Sequence, residues 1–78
     1  MNKLPWKLLK NIDELSTNGR KLLINVVRKN KTTGIVYIIF YNEIFKEFQH
    51  AWGSNKVEWS FWYEYADIYF YDGNLEEI

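Results

Sequence analysis

The clearest hydrophobic pattern lies in the middle of the chain, where two apolar runs flank a polar connection. Residues 21–28 and 35–41 are rich in β-branched and aromatic side chains, which favour strands. The connection between them is polar and ends in Gly34. This pattern predicts a β-hairpin. The second run is apolar at consecutive positions, so we expect both faces of its strand to be covered and the strand to lie centrally in a sheet.

Two further segments have apolar residues at the spacing of one helix face. The first is 5–15, and the second is 42–53, where Asn42 can cap the first turn and Gly53 can end the last. We expect a short helix in each, and the alternative for the first segment is an irregular arm. The alternative for the second segment is a tight turn followed by a strand.

The last third of the chain alternates apolar and mixed positions. Val57 to Tyr65 has this period of two, which predicts a strand, and Ile68 to Tyr71 predicts a short one after an interruption at Ala66-Asp67. The predicted order is helix, hairpin, helix, strand, strand. We therefore expect one domain over residues 1–78, of the α+β class, with an approximately four-stranded, mainly antiparallel sheet and one or two short helices. A mostly β fold is the alternative.

Charge divides the chain near its middle. Residues 1–40 carry eight Lys/Arg and two Asp/Glu, a net +6, whereas residues 41–78 carry two and eight, a net −6. Most of the aromatic residues also lie in the acidic half. Carboxylates combined with Trp and Tyr are typical of surfaces that bind other molecules.

Catalytic and metal-binding patterns are missing from the sequence. There is no cysteine, and His50 is the only histidine, so thiolate chemistry and multi-histidine metal sites are excluded. We expect His50 to lie in the last turn of a helix, where a cation interacts well with the carbonyl end. The longest apolar run has seven residues, against about 20 for a membrane-spanning helix. These features predict a cytoplasmic, non-enzymatic protein without a metal or cofactor.

The first functional hypothesis concerns the acidic aromatic segment 58–72. On a strand, Glu58, Trp62 and Glu64 would share one face and present carboxylates around an exposed indole. Trp and Tyr dominate binding hot spots, so we expect this face to bind a partner protein. The predicted partner-binding residues are Glu58, Trp62, Tyr63, Glu64, Tyr65, Asp67, Tyr69, Tyr71 and Asp72.

Two alternatives use other charges. A nucleic-acid-binding module would use the basic residues that flank or cap the hairpin. A salt-sensitive homo-oligomer would join the oppositely charged halves of two copies. The basic set for the first alternative is Arg20, Lys21, Arg28, Lys29 and Lys31.

The order of several motifs resembles a family of small uncharacterised phage and prophage proteins. Trp6 comes first, then Asn18-Gly19, then the aliphatic run 22–24 and the aromatic run 36–41; residues 66–70 stand where that family has a Thr-His-Trp-Met-Pro segment. The resemblance implies mainly β structure and no catalytic residues. It also implies a phage accessory protein, which we expect to inhibit or redirect a host protein such as a nucleic-acid-handling anti-phage defence enzyme.

Overall fold

One antiparallel sheet organises residues 4–71 and 73, the part of the chain that this computed structural model describes. The strand order is β1-β5-β2-β3-β4, and one α-helix accompanies the sheet. The α+β class is confirmed, with five strands among the described residues. In chain order the elements are β1 (Lys7–Leu8), a 3-10 turn (Ile12–Glu14), β2 (Leu22–Arg28), β3 (Ile35–Asn42), β4 (Glu47–His50), α1 (Trp59–Tyr65) and β5 (Ala66–Tyr71).

The predicted hairpin forms the middle of the sheet. β2 pairs with β3 from Leu22↔Ile39 to Val26↔Ile35, and on its other side with β5 from Leu23↔Tyr71 to Arg28↔Ala66. The central strand is therefore β2, and β3 lies between β2 and β4. The short strand predicted at 68–71 is also confirmed and begins two residues earlier.

The helix predicted over 42–53 is wrong, although its proposed cap is present. The Asn42 side-chain oxygen accepts hydrogen bonds from the N–H groups of Ile44 at 2.9 Å and Phe45 at 3.3 Å, as a helix cap would. Lys46 then adopts a left-handed conformation with φ of 55°, which ends the turn. β4 follows and pairs with β3, as the alternative of a turn and strand anticipated.

The helix predicted over 5–15 is also wrong. Leu8 lies in β1 opposite Tyr69 of β5, and the Leu9 N–H donates to the Ile68 carbonyl at 2.7 Å. The helical part is the single 3-10 turn, which begins at Asn11 with a reciprocal capping arrangement to Glu14. Pairing with β5 outweighs the weak helical preference of this short segment.

The strand predicted over 57–65 is wrong because residues 59–65 form α1. Aromatic residues are so dense here that both periods fit the sequence. In the fold, the inward positions are 59, 62, 63 and 66, the spacing of one helix face. The Ala66 N–H closes the helix on the Trp62 carbonyl, and the chain enters β5 without a loop.

The hydrophobic core lies between one side of the sheet, here called the covered face, and a layer made by α1 and residues 9–15. Ile24, Ile39 and Ile68 point into it and have no exposed surface. The Tyr63 hydroxyl donates a hydrogen bond to the Leu9 carbonyl at 2.9 Å, which joins the two parts of that layer. Burial, and secondarily the charge of Glu14, raise the pKa of Tyr63 above its ordinary 10.0.

Candidate interaction surfaces

The opposite side of the sheet, here called the open face, has no layer of described residues over it. Alternation along each strand sends every second side chain to this side. Ile38 and Val36 are each 37% exposed and Leu8 is 45% exposed. The expectation that both faces of β3 are covered is therefore wrong for the described residues. The strand residues of the open face are Leu8, Leu23, Asn25, Val27, Val36, Ile38, Phe40, Asn42, Glu47, Gln49, Asp67, Tyr69 and Tyr71.

The centre of the open face is a continuous apolar patch. Leu23 is flanked by Ile38 on β3 and Tyr71 on β5, and side chains paired in this way lie within about 5 Å at Cβ. Leu23 is buried but is not a member of the core cluster. It therefore lies at the middle of a separate hydrophobic patch.

Polar groups lie toward the rim of the open face. Asn42 Nδ2 donates to Gln49 Oε1 at 3.0 Å, and Gln49 Nε2 donates to Glu47 Oε2 at 2.9 Å. Asp67 lies on β5 opposite Val27 and is exposed. Glu47 and Asp67 are the charged residues among the strand positions of this face, and both are acidic.

The acidic aromatic face predicted for residues 58–72 does not exist as one surface. Helix α1 turns Trp62 into the core, where its ring stacks on Tyr37 with centroids 5.0 Å apart. Glu58, at the N-terminal end of α1, and Glu64, within α1, are both exposed. Tyr63 is half-buried and is hydrogen-bonded to the Leu9 carbonyl.

The remaining members of that set are divided between two places. Tyr69, Tyr71 and Asp67 share the open face, and Tyr65 lies at the end of the sheet near Arg28. Asp72 lies outside the described residues. The structure thus brings together three of the predicted partner-binding residues.

His50 belongs to an aromatic cluster on the covered face. It lies on β4, and its ring contacts Tyr37 and Trp62 edge-on, with centroid distances of 5.4 and 5.5 Å. The expected position in the last turn of a helix is wrong, because this segment is a strand. The histidine therefore contributes packing between β3, β4 and α1.

The predicted basic set is also divided. Arg28 is the last residue of β2, and Lys29 and Lys31 follow it, whereas Arg20 and Lys21 precede β2. Lys21 and Arg28 are seven positions apart along the extended chain, about 20 Å. At the C-terminal end of β2, the Arg28 guanidinium lies over the Tyr65 ring, 5.6 Å from its centroid.

A separate concave site lies at the β4 edge of the sheet. This cavity of about 450 Å³ has an apolar floor that includes Phe48, Val57 and Trp59. Charges of both signs surround it, with Lys46 and Lys56 opposed by Asp13 and Glu47. The balanced rim and apolar floor do not select one ligand class.

Sequence reasoning missed most of the open face and missed Phe61 beside the end of β2; it predicted Tyr65 as a binding residue but not its position beside Arg28. The consecutive apolar positions of β3 contained the signal for the open face, since alternate members had to point away from the core. Phe61 and Tyr65 are four residues apart, the spacing of one helix face. That signal becomes visible only once 59–65 is recognised as a helix.

No family model matches the chain, and the comparisons with curated proteins and with solved structures also give no match. Over residues 4–71 and 73, there is no group of three or more His, Asp or Glu side chains arranged to hold a metal ion. No helix in that part of the chain has the length and apolar character needed to cross a membrane.

Proposed function

We propose that this chain is a non-enzymatic protein-binding module whose open face docks on a partner protein. The observation that supports this proposal most strongly is the partly exposed apolar patch around Leu23, Ile38 and Tyr71. An antiparallel sheet with one solvated face normally alternates apolar and polar residues. Here the outward positions of β2 and β3 are largely apolar, and such exposed patches mark interaction sites.

The dimensions of the open face suit a small protein interface. The four strands β2 to β5, about 4.8 Å apart and four to eight residues long, present a surface of about 20 Å by 20 Å. This flat area of about 400 Å² is around half of the surface that one partner contributes to a standard interface. The side chains of Phe40, Tyr69 and Tyr71 project from the sheet and add to the area available for contact.

The chemistry of the rim selects the partner. Glu47 and Asp67 are both acidic, so the partner surface should have an apolar centre and Lys or Arg at its edge. A second copy would bring the same two carboxylates to the contact and fits less well. Surfaces lined by Lys and Arg are those that nucleic-acid-handling enzymes present to phosphates. A host defence enzyme of that kind therefore stays our prediction for the partner.

A site-specific photo-crosslinker can test the docking surface. Benzoylphenylalanine replaces Ile38 on the open face or, as the matched control, Ile44, which is 87% exposed in the turn between β3 and β4. We expect irradiation in host lysate to join position 38, but not position 44, to one protein. The joined peptide should come from an apolar surface flanked by Lys or Arg.

Two outcomes would contradict the proposal. Identical products from positions 38 and 44 would show non-specific capture, and the absence of a product at position 38 would leave the open face without a partner. Irradiation of the purified chain without lysate tests whether the open face binds a second copy of the chain. A product that joins position 38 to a second copy would show that the open face forms a homodimer interface instead of binding a different protein.

A further inference from the structure

We propose that the end of the β2–β3 hairpin and the adjacent side of α1 form a second binding site, for single-stranded nucleic acid. Two adjoining cavities of about 410 and 210 Å³ lie there and share Arg28 and Tyr65. The larger is completed by Lys29, Asn30 and Phe61, and the smaller by Val26, Lys31, Thr33, Gly34 and Ile35.

The aromatic part of this site is presented by α1. Phe61 and Tyr65 contact each other edge to face, with centroids 5.3 Å apart and planes at 64°. Phe61 is 61% exposed, so a large part of its ring is available to a planar ligand. Nucleobases stack on exposed aromatic rings of this kind without strong sequence preference.

The charged part of the site is presented by the hairpin. Arg28, Lys29 and Lys31 are exposed, and among the described residues no carboxylate lines either cavity. Glu64 is exposed on α1 next to Tyr65 but lines neither cavity, and Asp67 lies opposite Val27 on the open face. Cations next to aromatic rings match a ligand that carries both phosphates and planar bases.

The arrangement favours a single strand over a duplex. A base can reach the Phe61 ring only if its own face is unstacked, and bases are splayed out far more easily from a single strand than from a duplex. Two cavities that share Arg28 and Tyr65 also offer places for successive nucleotides. This site lies at the hairpin end and is separate from the patch around Ile38.

Fluorescence anisotropy with a labelled oligothymidylate of about ten nucleotides tests the site. We expect binding at low salt that weakens steeply as salt rises. Phe61→Ala should weaken it by roughly five- to one-hundred-fold, and Lys31→Ala should reduce the salt slope by about 0.7. Phe45→Ala and Lys10→Ala are matched controls, because both side chains are exposed and lie outside the two cavities.

Circular dichroism of each variant confirms that it is folded before binding is compared. Absence of binding by the wild-type chain at low salt would overturn the proposal, as would unchanged affinity in folded Phe61→Ala. Equal affinity for the duplex would also overturn it. If thymidine monophosphate competes as well as the oligonucleotide, the ligand is a free nucleotide and the assignment to a strand is wrong.

Discussion

Gly34 occupies a position where the backbone leaves no room for a side chain. A Cβ at this residue would lie 2.5 Å from the Val26 carbonyl oxygen and would also clash with Oδ1 of Asn25. That Asn25 oxygen is already buried without a hydrogen-bond partner among the described residues. Because Val26 is held on both sides in the central strand, the clash cannot be relieved by a small movement.

We therefore expect Gly34→Ala to lower the free energy of unfolding by about 1–3 kcal/mol. Urea titration of the purified variant measures this change. Thr33→Ala is the neighbouring control, since Thr33 is exposed and such a substitution should stay within about 0.5 kcal/mol. Equal urea midpoints for wild type and Gly34→Ala would show that the backbone at residue 34 is not so close to Val26.

The ionisation of Tyr63 makes the free energy of unfolding depend on pH in the alkaline range. Because burial and Glu14 raise its pKa above 10.0 in the folded chain, the neutral phenol is favoured by folding. Its contribution is fully present below pH 10 and is lost as pH rises through the raised pKa. Ionisation also removes the proton that the hydroxyl donates to Leu9.

We expect Tyr63→Phe to cost about 1 kcal/mol at neutral pH, through loss of that hydrogen bond. Above pH 10 the difference between wild type and Tyr63→Phe should shrink. Urea titrations of both proteins at a series of pH values measure it, and the other tyrosines titrate in both and cancel in the comparison. A difference that grows above pH 10 would contradict the assigned role of the hydroxyl.

Strand β3 separates the two hydrophobic regions of the molecule. Ile39 points into the core and has no exposed surface, whereas its neighbour Ile38 is on the open face and 37% exposed. We expect Ile39→Ala to destabilise the isolated chain by about 2–5 kcal/mol and Ile38→Ala by only about 1 kcal/mol. Thermal or urea unfolding of the pair provides the comparison. A larger loss for Ile38→Ala would place the core on the other side of the sheet.

The sequence was a good guide to elements in which local preference and long-range pairing agree. The β2–β3 hairpin has strand-favouring residues, a polar connection and a glycine, and all three point to the same structure. At Asn42 the local evidence was ambiguous, since the same two hydrogen bonds begin a helix or close a turn. The left-handed Lys46 and pairing with β3 decide between them, and neither is visible from residues 42–53 alone.

Helix α1 shows a second limit. Between Trp59 and Tyr65 nearly every position is aromatic or apolar, so the sequence satisfies periods of two and of 3.6. Packing against the sheet selects the helix because it buries Trp62 beside Tyr37 and His50. The predicted binding face assumed a strand with a period of two. Because residues 59–65 form a helix instead, only Asp67, Tyr69 and Tyr71 of the predicted set share one surface.

Across the whole molecule, the opposite charges of the two sequence halves do not form two separate bodies. β5 from the acidic half lies between β1 and β2 from the basic half, so one sheet contains both. A salt-sensitive oligomer built by joining charged halves therefore has less support than binding through the open face. Oligomerisation through that apolar face would depend little on salt.

The central claim is that the open face contacts a partner protein, and its most direct measurement is the affinity of the partner captured at position 38. Isothermal titration compares wild type with Ile38→Glu and with Ile44→Glu, which adds the same charge at the turn. We expect Ile38→Glu to lose about one hundredfold in affinity, because a charge would be buried against an apolar surface, and Ile44→Glu to bind like wild type. Unchanged binding by folded Ile38→Glu, or an equal loss in both variants, would contradict the claim.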